Sequence, residues 1–384
     1  MMDTSKDFWE GITMTPKLAQ KIKNFKIETT VEAFVAALKL GLKPEKKSSI
    51  PVLAMAKITG NRIDVTDLDQ WSIVEFNAAM PDLKGNEKPF LVPYHAAMDV
   101  LKGESGPLTI TPMDNSWVQF KVSGCEYKLT SLSTANFPQC PDEFDTPIHL
   151  TGDAFRTLVD RTLFAISSEQ SRYALHAALI VPATDKLSMV GTDGHRIALN
   201  TVPYEGAKAE EFLIRRDTLD MLRTRVNGHI EIGLKNEWQM FRTAGAKFFS
   251  RKLSGQFPNY EAVMPRNYKI KGVIDSAAKL HPILARVAKC ADERSGAVTF
   301  KFGPELVMTA SSSERGEAKA TFPCVTNDVL TIGMNSEYLL EFLKKVGDRP
   351  VAVELKAPES SILFRADDEA KGETFSYVVM PMRL

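Results

Sequence analysis

The sequence predicts an α+β chain made of three copies of one unit, each with two amphipathic helices on antiparallel strands. Three observations predict it. A helical pattern recurs at a spacing of about 120 residues. A second helix with a short apolar lead follows it each time. Each copy then closes on a strand followed by an X-Pro step.

The first helix of each copy obeys the i, i+3, i+4, i+7 rule for one buried face. Val31, Phe34, Val35 and Leu38 do so after Thr29 or Thr30, either of which suits an N-cap. Phe155, Leu158, Val159 and Leu163 repeat the pattern after Thr151. Leu280, Ile283, Leu284 and Val287 repeat it after Asp275. A short extended stretch precedes each helix, at 25–28, 147–150 and 271–274. The second helices are expected at 93–102, 216–226 and 336–346, led by the apolar triplets at 90–92, 212–214 and 330–332.

Between the helices lie alternating runs bounded by turn residues. Residues 57–69 bend at Gly60-Asn61, and 186–200 and 305–321 occupy the same slot. The closing strands run into Phe137-Pro138, Phe257-Pro258 and Met380-Pro381. The expected domains are therefore 25–145, 146–268 and 269–384, with an N-terminal extension at 1–24 in which Trp9, Ile12, Leu18 and Ile22 could pack on the first domain. Edge strands are reactive surfaces and closure removes them. Three units in one chain make an arc, and two head-to-tail chains would close it into a ring.

Composition narrows the function classes. The formal net charge is zero. That excludes a chain that is basic all over, but not a local basic surface for nucleic acid. The cysteines Cys125, Cys140, Cys290 and Cys324 form no Cys-x-x-Cys pair and have no His at ligand spacing. No metal, no cofactor and a reducing cytoplasm are expected. The longest apolar run, 177–182, fits a buried strand rather than a membrane span. Acidic Asp3, Asp7 and Glu10 exclude a secretory signal, and no phosphate-binding Gly-x-x-x-x-Gly-Lys loop occurs.

Two motifs carry more specific information. One is Gly191-Thr192-Asp193-Gly194-His195-Arg196-Ile197-Ala198-Leu199, followed downstream by Phe257-Pro258-Asn259-Tyr260 and Val263-Met264-Pro265. The other is the tail, Tyr377-Val378-Val379-Met380-Pro381-Met382-Arg383-Leu384. Together they resemble the middle domain and C-terminus of the bacterial β sliding clamp family, the DNA polymerase III beta subunit. Ile50-Pro51-Val52-Leu53 and residues 132–138 resemble its first domain more loosely. The resemblance covers residues 25–384 in register with the repeat.

The resemblance implies half of a closed ring of clamp domains. A head-to-tail homodimer would encircle duplex DNA as a processivity factor. It would be placed there by a separate clamp loader and would tether the DNA polymerase III alpha subunit and other polymerases. It implies no catalysis by this chain.

The resemblance also implies a peptide pocket formed by Arg172, Leu175, Thr192, Gly194, His195, Arg196, Ile197, Pro258, Val263, Tyr338, Ser361, Val378, Met380, Pro381, Met382, Arg383 and Leu384. Leu175, Ile197, Val263, Val378 and Met380 would take an apolar anchor, with Met supplying adaptability. Thr192, Ser361 and the guanidinium groups would orient polar groups of the peptide. Met382, Arg383 and Leu384 are expected to lie against 194–197. Where the family commonly has a basic residue, this chain has Ala262.

Phosphate contact is expected from Lys46 and Lys47 and from the helix residues Arg156, Arg215, Arg216, Arg223, Lys279 and Arg286, with Lys39 and Arg161 as further candidates. Tyr127 and Leu129 are expected on the first-domain side of the dimer interface. Lys289 and Cys290 are expected on the third-domain side, where the family usually has two aliphatics.

Other classes stay open at this stage. Asp193 and His195 suit a hydrolase, but no Gly-x-Ser-x-Gly elbow supplies a nucleophile. His176 and His195 on adjacent strands suit a metal. A monomeric clamp relative would bind polymerase peptides without encircling DNA.

Overall fold

The computed structural model describes residues 25–79, 88–113, 116–169, 171, 174–264 and 266–383. The extension at 1–24, with Trp9, Ile12, Leu18 and Ile22, lies outside them, as do Arg172 and Leu384.

One element order recurs three times: strand, helix, four strands, helix, three strands. The helices are α1 (Val31–Leu40) and α2 (Tyr94–Val100) in the first copy, α3 (Gly152–Thr162) and α4 (Arg216–Arg225) in the second, and α5 (Ala277–Val287) and α6 (Ser336–Val346) in the third. Polar caps at corresponding places start the first helix of each copy. Thr30, Thr151 and Ser276 each accept a backbone hydrogen bond three residues on, from Ala33, Ala154 and Lys279, all at 3.2 Å. In the third copy the cap is Ser276 rather than Asp275, and its hydroxyl also donates to Asp348 at 2.5 Å. Pro93 stands just before α2 as its cap and does not belong to the helix.

The chain divides into two compact units, Met1–Asp145 with Gly233–Arg251, and Thr146–Ile232 with Lys252–Leu384. The division falls inside strand His229–Lys235, so two strands of the second copy belong with the first.

In the first unit, Ile27–Thr30, Pro107–Met113, Trp117–Val122 and Cys125–Thr130 form a sheet in that order. A second sheet runs Phe90–Pro93, Met55–Thr59, Arg62–Thr66, Gln70–Glu75, Ala246–Arg251, Trp238–Thr243. Gly60 turns its hairpin with φ at +61°, as the Gly-Asn bend requires. Phe34 on α1 is fully buried between Phe76 and Phe120, with ring centroids at 5.5 and 6.0 Å.

In the second unit, one eight-stranded sheet runs Phe212–Arg215, Ala177–Pro182, Lys186–Thr192, Arg196–Pro203, Thr374–Val379, Ile362–Arg365, Val351–Leu355, Ile270–Ile274. Another runs Gly316–Phe322, Leu306–Ser312, Ala297–Phe302, Leu330–Asn335. Helices α5 and α6 pack on each other over a core that includes Leu280, Leu284, Phe342 and Tyr377.

Copies join by one rule. The fourth strand of a copy pairs antiparallel with the last strand of the next. Gln70–Glu75 pairs with Ala246–Arg251 in the first unit, and Arg196–Pro203 with Thr374–Val379 in the second. Among the described residues, the rule leaves two such strands without a partner on their outer side. They are the last strand of the first copy, Cys125–Thr130, and the fourth strand of the third, Gly316–Phe322.

Candidate peptide-binding site

The site grows from the hairpin between Lys186–Thr192 and Arg196–Pro203. Gly194 sits at the bend with φ at +93°, a conformation that favours glycine. Thr192 is buried, and its hydroxyl donates to the Arg196 carbonyl at 2.6 Å and accepts from Gly194 N at 3.1 Å. Asp193 Oδ1 accepts from the backbone N–H groups of His195 and Arg196. These are the local bonds of an Asx turn, which explains Thr-Asp-Gly as a turn sequence.

The closing strand of the third copy pairs along this hairpin, Ile197 opposite Val378 and Arg196 opposite Val379. Met380 N extends the ladder by donating to the His195 carbonyl at 2.9 Å. The third wall is a helical turn, Tyr260–Val263, capped by Asn259. Phe257 meets Tyr260 edge to face beneath it.

Together these elements enclose a cavity of about 200 Å³. Leu175, Thr192, Gly194, Arg196, Ile197, Pro258, Tyr260, Val263, Val378 and Met380 line it. Its floor is apolar and continuous with Leu179, Leu213 and Leu363. Val263 and Met380 stand at its surface, 37% and 39% exposed. An enclosed apolar slot with exposed apolar rims suits an apolar side chain of a partner. Tyr260 was not among the residues singled out from sequence, although the motif Pro258-Asn259-Tyr260 contains it.

Arg196 holds the site together from behind. It is 8% exposed, and its guanidinium reaches Asp193 at 2.9 Å, the Phe164 carbonyl at 2.8 Å, and Glu341 on α6. It stacks over Tyr338 at 4.4 Å and touches the Tyr377 hydroxyl. Burial opposes its charge, but Tyr377 and Glu341 outweigh burial and raise its pKa. Burial pushes the Tyr377 phenol above its usual range, and its hydroxyl donates to the Tyr338 carbonyl at 2.9 Å. The guanidinium is thus engaged within the chain.

The tail divides. Val378 and Met380 stay with the first cavity. Pro381, Met382 and Arg383 line a second, of about 450 Å³, with Thr331, Ile332, Gly333, Pro358 and Glu359. Met382 N donates to the Gly333 carbonyl at 2.8 Å, which turns the end of the chain away from 194–197. Placing Met382 and Arg383 against that hairpin is therefore corrected: the backbone bond to Gly333 decides their direction. Ser361 lies half-buried just before strand Ile362–Arg365 and lines neither cavity.

His195 is exposed, and its backbone, rather than its ring, makes the bonds given above. Asp193 is committed to the turn and to Arg196. His176 Nδ1 pairs with the Ser167 carbonyl at 2.9 Å. Among the described residues, no group of three His, Cys, Asp or Glu side chains could hold a metal ion. No described helix is long and apolar enough to cross a membrane.

The basic candidates separate into two sets. Lys39, Lys46, Lys47, Lys279 and Arg286 are exposed. Others are held within the chain: Arg216 donates to the carbonyls of Leu163 and Ile166, Arg161 pairs with Glu373, and Arg156 bonds the Val226 carbonyl and Asp153. Arg215 pairs with Asp217, and Arg223 with Asp160 and Asp220. Tyr127 and Leu129 lie half-buried on the open strand Cys125–Thr130. Lys289 and Cys290 lie on the turn Ala288–Cys290, which packs against the other open strand, Gly316–Phe322. Cys290 joins Ala318 and Ala320 of that strand at the edge of the core. The two alanines were not expected from sequence.

Residues 149–259 match the family described as DNA polymerase III beta subunit, central domain, and residues 261–383 match its C-terminal domain. The chain belongs to the DNA polymerase III beta subunit family. Among curated relatives, the beta sliding clamp of Pseudomonas putida is 29% identical over 280 residues, 71% of this chain and 75% of that one. The beta sliding clamp of Escherichia coli is 27% identical over 268 residues, 67% and 71% of the two chains. The sliding clamp of Pseudomonas aeruginosa, solved bound to griselimycin, is 25% identical with a TM-score of 0.84, covering 94% of this chain and 100% of that one. That of Bacillus subtilis, at 18% identity and a TM-score of 0.86, shares the beta-clamp fold.

Proposed function

We propose that this chain is a DNA sliding clamp: two copies join head to tail around duplex DNA and tether polymerases through the pocket at Thr192–Ile197. The joining rule between copies carries the proposal. Each internal junction pairs a fourth strand with a last strand, and one strand of each kind is left over. Two chains satisfy all leftover edges by two identical, heterologous junctions.

Family membership supports the same reading, and so does the apolar slot, which suits a Leu or aromatic anchor of a polymerase peptide. DNA contact falls to exposed Lys39, Lys46, Lys47, Lys279 and Arg286, through phosphates and without base readout. The chain performs no catalysis and is placed on DNA by a separate clamp loader in the cytoplasm. The commitment of Asp193 to its turn supports the first point.

The test is retention on DNA after loading. Clamp held on a nicked circle, and released when the circle is cut, supports a closed ring. Equal retention on both forms, or binding of a polymerase tail peptide by a chain that stays monomeric, favours a clamp relative that does not encircle DNA.

A further inference from the structure

The two leftover edges carry one charge pattern in one order: Glu126-Tyr127-Lys128 on the first and Glu317-Ala318-Lys319 on the second. We propose, resting on the ring reading above, that they pair antiparallel between two copies of this chain in a single register set by charge. Tyr127 lies opposite Ala318, Glu126 opposite Lys319, and Lys128 opposite Glu317.

The faces of the strands restrict the choice first. Tyr127 and Leu129 stand across from buried Phe120 and Val118 in their own sheet. Ala318 and Ala320 stand across from buried Ala310 and Met308 in theirs. Residues directly opposite in an antiparallel pair share a face of the sheet. Tyr127 must therefore meet Gly316, Ala318 or Ala320 of the partner and not Glu317 or Lys319, so allowed registers differ by steps of two residues.

Charge then selects among them. A step one way sets Lys128 opposite Lys319. A step the other way sets Glu126 opposite Glu317. Like charges directly opposite are destabilising, and opposite charges stabilise. Only the intermediate register gives two attractive pairs at once. The neighbouring strands extend it on the same face. Lys121 Nζ reaches Glu126 at 2.5 Å, Gln119 Nε2 donates to Glu126 at 3.0 Å, and the Ser311 hydroxyl donates to Glu317 at 3.3 Å. Both internal junctions are antiparallel, which fixes the direction.

In this register native Cys125 falls opposite Ala320. Ala320→Cys, oxidised with copper phenanthroline, is expected to give a disulfide-linked dimer on a non-reducing gel, and the Cys125→Ser form of that variant is not. Linking through Ala318→Cys or Phe322→Cys instead would report a register shifted by two residues and overturn the proposal while leaving the dimer intact. A Cys125–Cys125 link in the parent protein would point to like edges pairing, and would also overturn it. No link in any variant, with sedimentation showing a dimer, rejects the register alone; a monomer rejects the ring as well. In a second arm, Glu126→Lys and Lys319→Glu should each raise the dimer dissociation constant by about tenfold, and the double variant should recover most of it. Recovery by Lys128→Glu instead of Lys319→Glu would assign the contact to a different pair of edges.

Discussion

Arg196 is the residue on which the pocket's back wall depends. Asp193, Glu341, the Phe164 carbonyl and Tyr338 all converge on its guanidinium. Removing one partner of a buried ion pair leaves an uncompensated group, at a cost of about 3 kcal/mol. Arg196→Met is expected to lower stability by about that amount in a urea melt. Val263→Asp acts differently: it puts a charge on an exposed rim, so the melt should stay put while binding of a polymerase tail peptide weakens at least about tenfold, the worth of one apolar anchor.

Thiol chemistry gives a second check at this scale. Burial pushes both Cys140 and Cys324 to about 11, so neither offers thiolate at neutral pH. In chains diluted to monomer, Cys125 on the open edge is expected to label first with an aromatic disulfide reagent, and these two last. Glu143 gives a pH signature. A hydrogen bond from Lys247 lowers its pKa in the folded state, so its contribution is present above the ordinary Glu range and lost as pH falls through the depressed value. Glu143→Gln should flatten the acid limb of stability against pH.

At the scale of elements, the helices were the most legible part. Their apolar spacing and polar caps are local properties, and local properties can be read from a short window of sequence. Thr151→Ala is expected to cost about 1 kcal/mol by thermal melt, because it deletes one cap hydrogen bond. What a charged side chain does was less legible. At a helical position, Arg216 reads like Lys279. Only the fold brings the carbonyls of Leu163 and Ile166, some fifty residues earlier, within reach of Arg216. The tail shows the same limit. The motif predicted its position beside the hairpin, yet the bond from Met382 to Gly333, a contact distant in sequence, sends its last residues elsewhere.

At the scale of the whole molecule, the repeat was legible because it recurs three times, while the exact partner of each edge strand was not. Pairing across a junction is non-local, and Ala318 and Ala320 look like ordinary strand residues until the open edge is known. DNA affinity should fall linearly in log–log form with salt and be indifferent to sequence. Lys46→Ala with Lys47→Ala is expected to reduce that slope by about 2, read by fluorescence anisotropy across a salt series.

The joining rule has one more consequence, for how such a ring would open. Within a chain, successive copies are held by paired strands and also by the peptide that runs from one copy into the next. Between chains, the paired strands stand alone. A parting force applied anywhere on such an assembly would therefore meet covalent resistance at every junction except the two where Cys125–Thr130 would face Gly316–Phe322. In the proposed ring the latch and the address label would be the same strip of backbone: the charges that would tell two copies how to align are also what a loading machine would have to prise apart.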